Sequence, residues 1–144
     1  MATEKTASAT WEGTLAEGSG SFSLGTGVVT DQAVTWKDRA EGGRGTSPEE
    51  LIAGAHASCV LMALAGVLAR ADTPPTKLES EAKATFDKVG EGFGITKMEL
   101  RVRGEVDGID DDAFRQAAEQ AKENCPVSQA LKGNVEVTLD AALA

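Results

Sequence analysis

Two cysteines are the residues of this sequence best suited to chemistry. Cys59 ends the stretch SPEELIAGAHASC, and Cys125 lies in KENCPVSQALKG. Three explanations are open: inert thiols that fill the core, a redox pair that meets only in the fold, or metal ligands. His56 lies three positions before Cys59 on one face of a predicted helix, but no CxxC or HxxxH motif completes a structural zinc site. We therefore interpret His56 as a packing or hydrogen-bonding residue.

A peroxide-reducing cysteine must be a thiolate near neutral pH, whereas the ordinary pKa of a thiol is about 8.5. A cation close to the sulfur would lower that pKa. Arg39 and Arg44, before the first long helix, are the candidates, and a carboxylate such as Glu49 can orient a guanidinium through two hydrogen bonds. The alternative for each arginine is a solvated loop charge. Pro126 suits the first position of a short helix, whose unpaired N–H groups would favour a thiolate at Cys125.

The strongest helix signal covers residues 47–70. Ser47 can cap the helix, Pro48 suits its first position, and Glu50 completes a capping box. Apolar residues then occur nearly all round the segment, which predicts a helix buried on most sides. Glu49 and Cys59 are ten positions apart, about 15 Å along one helix. Cooperation between them needs a break in the helix, such as one at Gly54, a bridging arginine, or a second chain, so we predict a composite site.

The other elements predict a mixed fold. The first forty or so residues are predicted to form short strands, AVTWKD among them, and VGEGFG predicts a hairpin turn before the alternating run KMELRVRGEV. A second helix is predicted over 110–123, followed by a short helix and a final strand, VEVTLDAAL. Because helices and strands do not alternate regularly, we predict an α+β fold with antiparallel sheets, in one domain over residues 1–144.

Composition limits the possible partners. The 144 residues are 41% hydrophobic with a net charge of −9, which argues against nucleic acid or an anionic membrane as partner. We expect no membrane-spanning helix, because no apolar run approaches the roughly 20 residues that one needs. The segment MATEKTASATWEG lacks the apolar stretch of a secretory signal. We therefore expect a cytoplasmic protein, where structural disulfides are rare.

Two long motifs resemble a known family. The stretch GTSPEELIAGAHASCVLMAL, followed 66 positions after its cysteine (125 minus 59) by CPVSQALKG, resembles the osmotically inducible protein C (OsmC) and organic hydroperoxide resistance (Ohr) family. WEG near the start and DKVGEGFGITKMEL are similar to the OsmC-like branch in particular. The resemblance runs from Trp11 to Asp140. It implies an OsmC-like α+β fold, with antiparallel sheets around a buried central helix, and an intertwined homodimer with two active sites at the subunit interface.

The resemblance also implies a function. It is that of a thiol peroxidase that needs no metal or other cofactor, reduces organic hydroperoxides to alcohols and serves in oxidative or osmotic stress defence. Cys59 matches the peroxidatic cysteine and Cys125 the resolving cysteine; together they would form a disulfide that a dithiol or a lipoylated protein reduces. Arg39 matches the active-site arginine, with Arg44 as second choice, and Glu49 matches the glutamate that orients it. Two alternatives are a thiol–disulfide redox sensor and a non-catalytic module that binds an apolar ligand.

Overall fold

The chain forms ten helices and strands, joined by turns and loops. The computed structural model describes all of residues 1–144, and contacts divide them into a unit of residues 1–48 and a unit of residues 49–144. The organisation as one domain stays a prediction. The predicted α+β fold is confirmed: there are two three-stranded sheets and four helices.

The first unit contains an antiparallel sheet and a one-turn helix. Its elements are β1 (Ala7–Glu12), β2 (Ser19–Leu24), β3 (Gln32–Val34) and α1 (Trp36–Ala40). The strand predicted over AVTWKD is right only for its first part, because the backbone becomes helical at Trp36. The Thr35 side chain caps α1: its hydroxyl accepts a hydrogen bond from the Asp38 N–H at 3.1 Å.

The second unit is built around a long helix and a long hairpin. The helix α2 (Pro48–Arg70) begins at the predicted proline, and the predicted hairpin turn joins the next two strands. The remaining elements of the chain are β4 (Lys77–Val89), β5 (Gly92–Glu105), α3 (Asp111–Asn124), α4 (Pro126–Leu131) and β6 (Glu136–Leu143). Asp110 caps α3 by accepting the Ala113 N–H at 2.8 Å, close to the predicted start of that helix.

The second sheet is not wholly antiparallel. Its strand order is β4-β5-β6, and β6 pairs with β5 in parallel, in contrast to the antiparallel expectation. The reason is the connection: α3 and α4 lie between the two strands, and such a helical crossover lets β6 run in the same direction as β5. The β4–β5 hairpin is antiparallel as expected.

The core of the second unit joins α2, β5 and α3. The predicted alternation places Met98, Leu100 and Val102 inside, where they are at most 2% exposed. Gly104 continues this inward face and leaves room for a ring: a Cβ there would lie 2.5 Å from Phe114 Cε2. The remaining buried apolar residues are Val60, Leu64, Val67, Leu68, Ala118, Ala121, Cys125, Val135 and Ala141.

The helix α2 keeps one apolar face uncovered. Its exposed stripe consists of Leu51, Gly54, Ala55, Ser58 and Met62, and Met62 is 69% exposed. By length and composition alone, α2 could cross a membrane, so the prediction that no apolar run approaches that length is wrong. A single helix of this kind is weak evidence for a membrane span, and one face of α2 packs into the core of the second unit.

Candidate active site

Cys59 lies near the middle of α2, partly exposed, on the helix face next to the core. The helix is continuous through Gly54, so the break that would have brought Glu49 towards Cys59 is absent. At 1.5 Å per residue, the two positions remain about 15 Å apart along the axis. Glu49 itself is 5% exposed in the first turn of α2, where a carboxylate complements the positive end of the helix.

Cys125 lies at the junction of two helices and is fully buried. Its N–H donates to Ala121 O at 2.8 Å to close α3, and its carbonyl accepts the Gln129 N–H at 2.9 Å to open α4. An extended backbone conformation at Cys125 allows this change of direction, and Pro126 then takes the first position of α4, as predicted.

The fold of the second unit brings the two cysteines together. Both are free thiols, and their side chains are hydrogen-bond partners. They differ in access, because Cys59 is partly exposed and Cys125 has no exposed surface. Cys59 is therefore accessible in part to a small solute, whereas Cys125 is not.

The surroundings of the pair affect the two thiols in opposite directions. Burial raises the pKa of Cys59, and the hydrogen bond to Cys125 raises it further, against a smaller opposing effect of the Val127 N–H. Burial also acts to raise the pKa of Cys125, but the hydrogen bonds from Cys59, Ser128 and Val127 outweigh it and bring that pKa below its ordinary value. The Cys125 side chain makes no regular N-cap hydrogen bond to α4. The backbone N–H groups of Val127 and Ser128 therefore act on its sulfur through weak N–H···S interactions.

The predicted roles of Cys59 and Cys125 stay predictions. The second unit supplies Cys59 with no group that favours its thiolate strongly, whereas hydrogen-bond donors converge on Cys125. A positive charge close to Cys59 would favour its thiolate.

A buried hydrogen bond extends the cysteine pair by two residues. Nε2 of His56 lies 2.7 Å from Oγ of Ser128, and the Ser128 hydroxyl in turn interacts with the Cys125 sulfur. The hydrogen-bonding interpretation of His56 is thus confirmed. Ser128 was missed, although it follows Cys125 by three positions in CPVS, a spacing that places it over Cys125 in the short helix.

The two candidate arginines belong to the first unit. Arg39 lies on α1 and Arg44 in the exposed loop after it. Arg39 lines an apolar pocket of about 280 Å³ together with Trp11, Leu15, Val34, Thr35, Trp36 and Pro48. Asp38 holds the loop by accepting the Gly45 N–H at 2.8 Å and a hydrogen bond from the Thr35 hydroxyl at 2.6 Å. Both arginines are exposed, and of the two only Arg39 lines this pocket.

The described residues include no group of three or more histidine, cysteine, aspartate or glutamate side chains arranged to hold a metal ion. His56 directs its Nε2 to Ser128, and the sulfur of Cys125 interacts with Cys59 and with residues of α4.

Comparison with known proteins gives consistent matches. Residues 41–140 match the family model described as OsmC-like protein. Over 140 residues the chain is 44% identical to the peroxiredoxin OsmC of Escherichia coli strain K12, covering 97% of this chain and 96% of that protein. It is 34% identical over 102 residues to the organic hydroperoxide resistance protein of Xanthomonas axonopodis pv. citri, covering 70% of each.

Solved structures give the same result. The organic hydroperoxide resistance protein of Elizabethkingia anophelis superposes with a TM-score of 0.79 at 27% identity, over 100% of both chains. OhrB of Bacillus subtilis superposes with a TM-score of 0.75 at 30% identity, over 94% of this chain and 97% of that one. With its family model, its relatives and its fold in agreement, this chain belongs to the OsmC-like protein family.

Proposed function

We propose that this protein is a thiol peroxidase that reduces organic hydroperoxides to alcohols through Cys59 and Cys125. The thiolate of Cys59 attacks the peroxide oxygen remote from the organic group; the O–O bond breaks, an S–O bond forms, and the alkoxide leaves and takes a proton to become the alcohol. Cys59 is then a sulfenic acid, and the peroxide has accepted two electrons from it.

The second half-reaction uses the buried partner. The sulfur of Cys125 attacks the sulfenic sulfur of Cys59, an S–S bond forms, and the departing hydroxide leaves as water after protonation. A dithiol, free or carried as a lipoyl group on a protein, then donates two electrons and restores both thiols while itself becoming a disulfide. Because the cycle needs such a reducing pool, the cytoplasm is the proposed compartment.

One observation carries this proposal: a partly exposed thiol and a fully buried thiol that are hydrogen-bond partners although 66 positions (125 minus 59) separate them. An attacking and a resolving sulfur must come into contact to form a disulfide, whereas two thiols that only fill the core need not touch each other. The names of the relatives, peroxiredoxin and organic hydroperoxide resistance protein, support the same reaction and substrate class.

Arg39 is proposed to supply the positive charge that Cys59 needs. A guanidinium favours the thiolate and stabilises the departing alkoxide. Glu49 is proposed to fix the orientation of that guanidinium through bidentate hydrogen bonds. Arg44 is the alternative to Arg39.

A homodimer is part of the proposal. The exposed stripe of α2, from Leu51 to Met62, consists of apolar and small residues, and Met62 is 69% exposed. An apolar stripe of this kind on a core helix is costly to leave in water and suits a second copy of the chain. The composite site predicted from the ten-residue spacing of Glu49 and Cys59 is consistent with two contributing chains.

The decisive experiment measures consumption of cumene hydroperoxide or tert-butyl hydroperoxide with a dithiol reductant. The wild-type protein turns over and Cys59→Ser does not. With the reductant removed after reduction, Cys125→Ser consumes one equivalent of peroxide and leaves Cys59 as a trapped sulfenic acid or an intermolecular adduct. Turnover that survives in Cys59→Ser excludes the mechanism. Oxidation of the pair without turnover by the wild-type protein would instead assign it to the redox sensors.

A further inference from the structure

We propose that His56 and Ser128 are positioning residues for the resolving step: the imidazole of His56 holds the Ser128 hydroxyl with its proton directed at Cys125, so that Cys125 attacks as a thiolate. The inference rests on the proposed function, since it assigns a role in the second half-reaction. It concerns the one buried imidazole that the peroxidase mechanism otherwise leaves unused.

The three side chains form a continuous buried line. His56 and Cys125 have no exposed surface, and Ser128 is 9% exposed. The Nε2–Oγ separation of 2.7 Å joins α2 to α4, and the Ser128 hydroxyl interacts with the Cys125 sulfur within α4. Within such a buried line, hydrogen bonds are stronger than in water, and an unpaired donor is costly.

The direction of the His56–Ser128 hydrogen bond follows from the other ring nitrogen of His56. Nδ1 of His56 is buried and has no hydrogen-bond partner. A buried N–H without an acceptor is rarer and more costly than a bare acceptor atom, so the ring proton belongs on Nε2. Burial also lowers the pKa of His56 and keeps the ring neutral with that single proton. Nε2–H then donates to Oγ of Ser128, which leaves the Ser128 proton for the sulfur of Cys125.

The consequence is specific to the resolving thiol. A donated hydroxyl proton stabilises the thiolate of Cys125, and the thiolate is the form that attacks the sulfenic sulfur of Cys59. If the ring carried its proton on Nδ1, Nε2 would accept the Ser128 proton instead, and Cys125 would lose this donor. The imidazole therefore acts on Cys125 through Ser128, without touching peroxide or sulfur.

The first test measures ionisation of Cys125 without any peroxide. In a Cys59→Ser background Cys125 is the only thiol, and because the chain has no tyrosine, the ultraviolet absorbance of the thiolate can be titrated without phenolate interference. Ser128→Ala and His56→Leu are expected to raise the pH of half-ionisation, leaving about tenfold less thiolate at a pH below both midpoints. Ser128→Thr keeps a hydroxyl and His56→Gln keeps an amide donor, so both are expected to stay near the background value.

The second test separates the two half-reactions. Reduced protein with wild-type cysteines is mixed with one equivalent of cumene hydroperoxide, and sulfenic acid formation and disulfide formation are followed in time. Ser128→Ala and His56→Leu are expected to slow disulfide formation about tenfold while leaving sulfenic acid formation unchanged, and the two conservative variants restore it.

Different outcomes overturn different statements. Equal Cys125 titrations in all the variants, or equal slowing of both half-reactions, would overturn the positioning role. Absence of peroxide reduction by the wild-type protein would overturn the proposed function while leaving the titration as an independent measure of the His56–Ser128 effect. Since the chain has a single histidine, its nitrogen chemical shifts report the tautomer directly, and a proton found on Nδ1 would also contradict the proposal.

Discussion

The thiol of Cys59, halfway along α2, is the hydrogen-bond partner of the Cys125 sulfur, where α3 ends and α4 begins. Cys125 is fully buried and its pKa lies below the ordinary value, whereas Cys59 keeps some exposed surface. The proposed reaction therefore depends on a cation that shifts the charge to Cys59 when substrate is bound.

Replacing Arg39 by glutamine is expected to slow sulfenic acid formation at Cys59 about 100-fold, the usual cost of removing a group that stabilises a developing oxyanion. Because burial and Cys125 raise the pKa of Cys59, the remaining rate should increase with pH further into the alkaline range than in the wild-type protein. Rapid-mixing kinetics with tert-butyl hydroperoxide over a pH series measures both effects. The matched variant is Arg44→Gln, and a larger loss there than in Arg39→Gln would reverse the assignment.

Met62→Lys is expected to convert the proposed dimer into a folded monomer, because it places a charge in the middle of an apolar helix stripe. Light scattering combined with size-exclusion chromatography measures the mass, and circular dichroism checks the fold. Gln120→Lys adds the same charge on the exposed side of α3 and should leave the mass unchanged. A dimer that persists in Met62→Lys would place the subunit interface elsewhere.

Gly104→Ala is expected to destabilise the fold by about 1–3 kcal/mol, the usual cost of overpacking a core. The new methyl group would lie 2.5 Å from Phe114 Cε2 and 3.0 Å from Leu78 Cδ2, so the ring must move. Urea unfolding measures the change in free energy. Gly92→Ala, also on β5, meets only an ordinary contact at 3.9 Å and serves as control; equal effects in the two variants would refute the packing argument.

The stability of the protein is expected to fall as the pH drops below about 6.5, because of His56. Burial lowers the pKa of His56 from 6.5, so between the folded value and 6.5 the unfolded chain binds more protons than the folded chain. Stability is fully present above 6.5 and is lost as pH falls through that window. Urea unfolding from pH 7.5 down to about 5, above the ordinary carboxyl range, measures the slope. His56→Gln should lack the slope; a slope that remains would assign it to other groups.

Local patterns predicted the elements of this fold well. The Ser47–Pro48 start of α2, the turn between β4 and β5, and the alternating Met98, Leu100 and Val102 are all encoded by neighbours in the chain, which sequence periodicity reports directly. The exceptions are also local: Thr35 turns the end of a predicted strand into the cap of α1. The prediction that no apolar run is long enough to span a membrane was wrong for α2, because its many small residues hide a long run without charged side chains.

By itself the sequence determined the helix and strand segments, the cysteine motifs and the family they indicate, because these depend on residue types and spacings within short windows. Only the tertiary structure decided that β6 runs parallel to β5, that the sulfur of Cys59 meets that of Cys125, and that His56 pairs with Ser128. Those relationships join positions more than 30 residues apart. They follow from the path of the chain through α3 and α4, which no local pattern specifies.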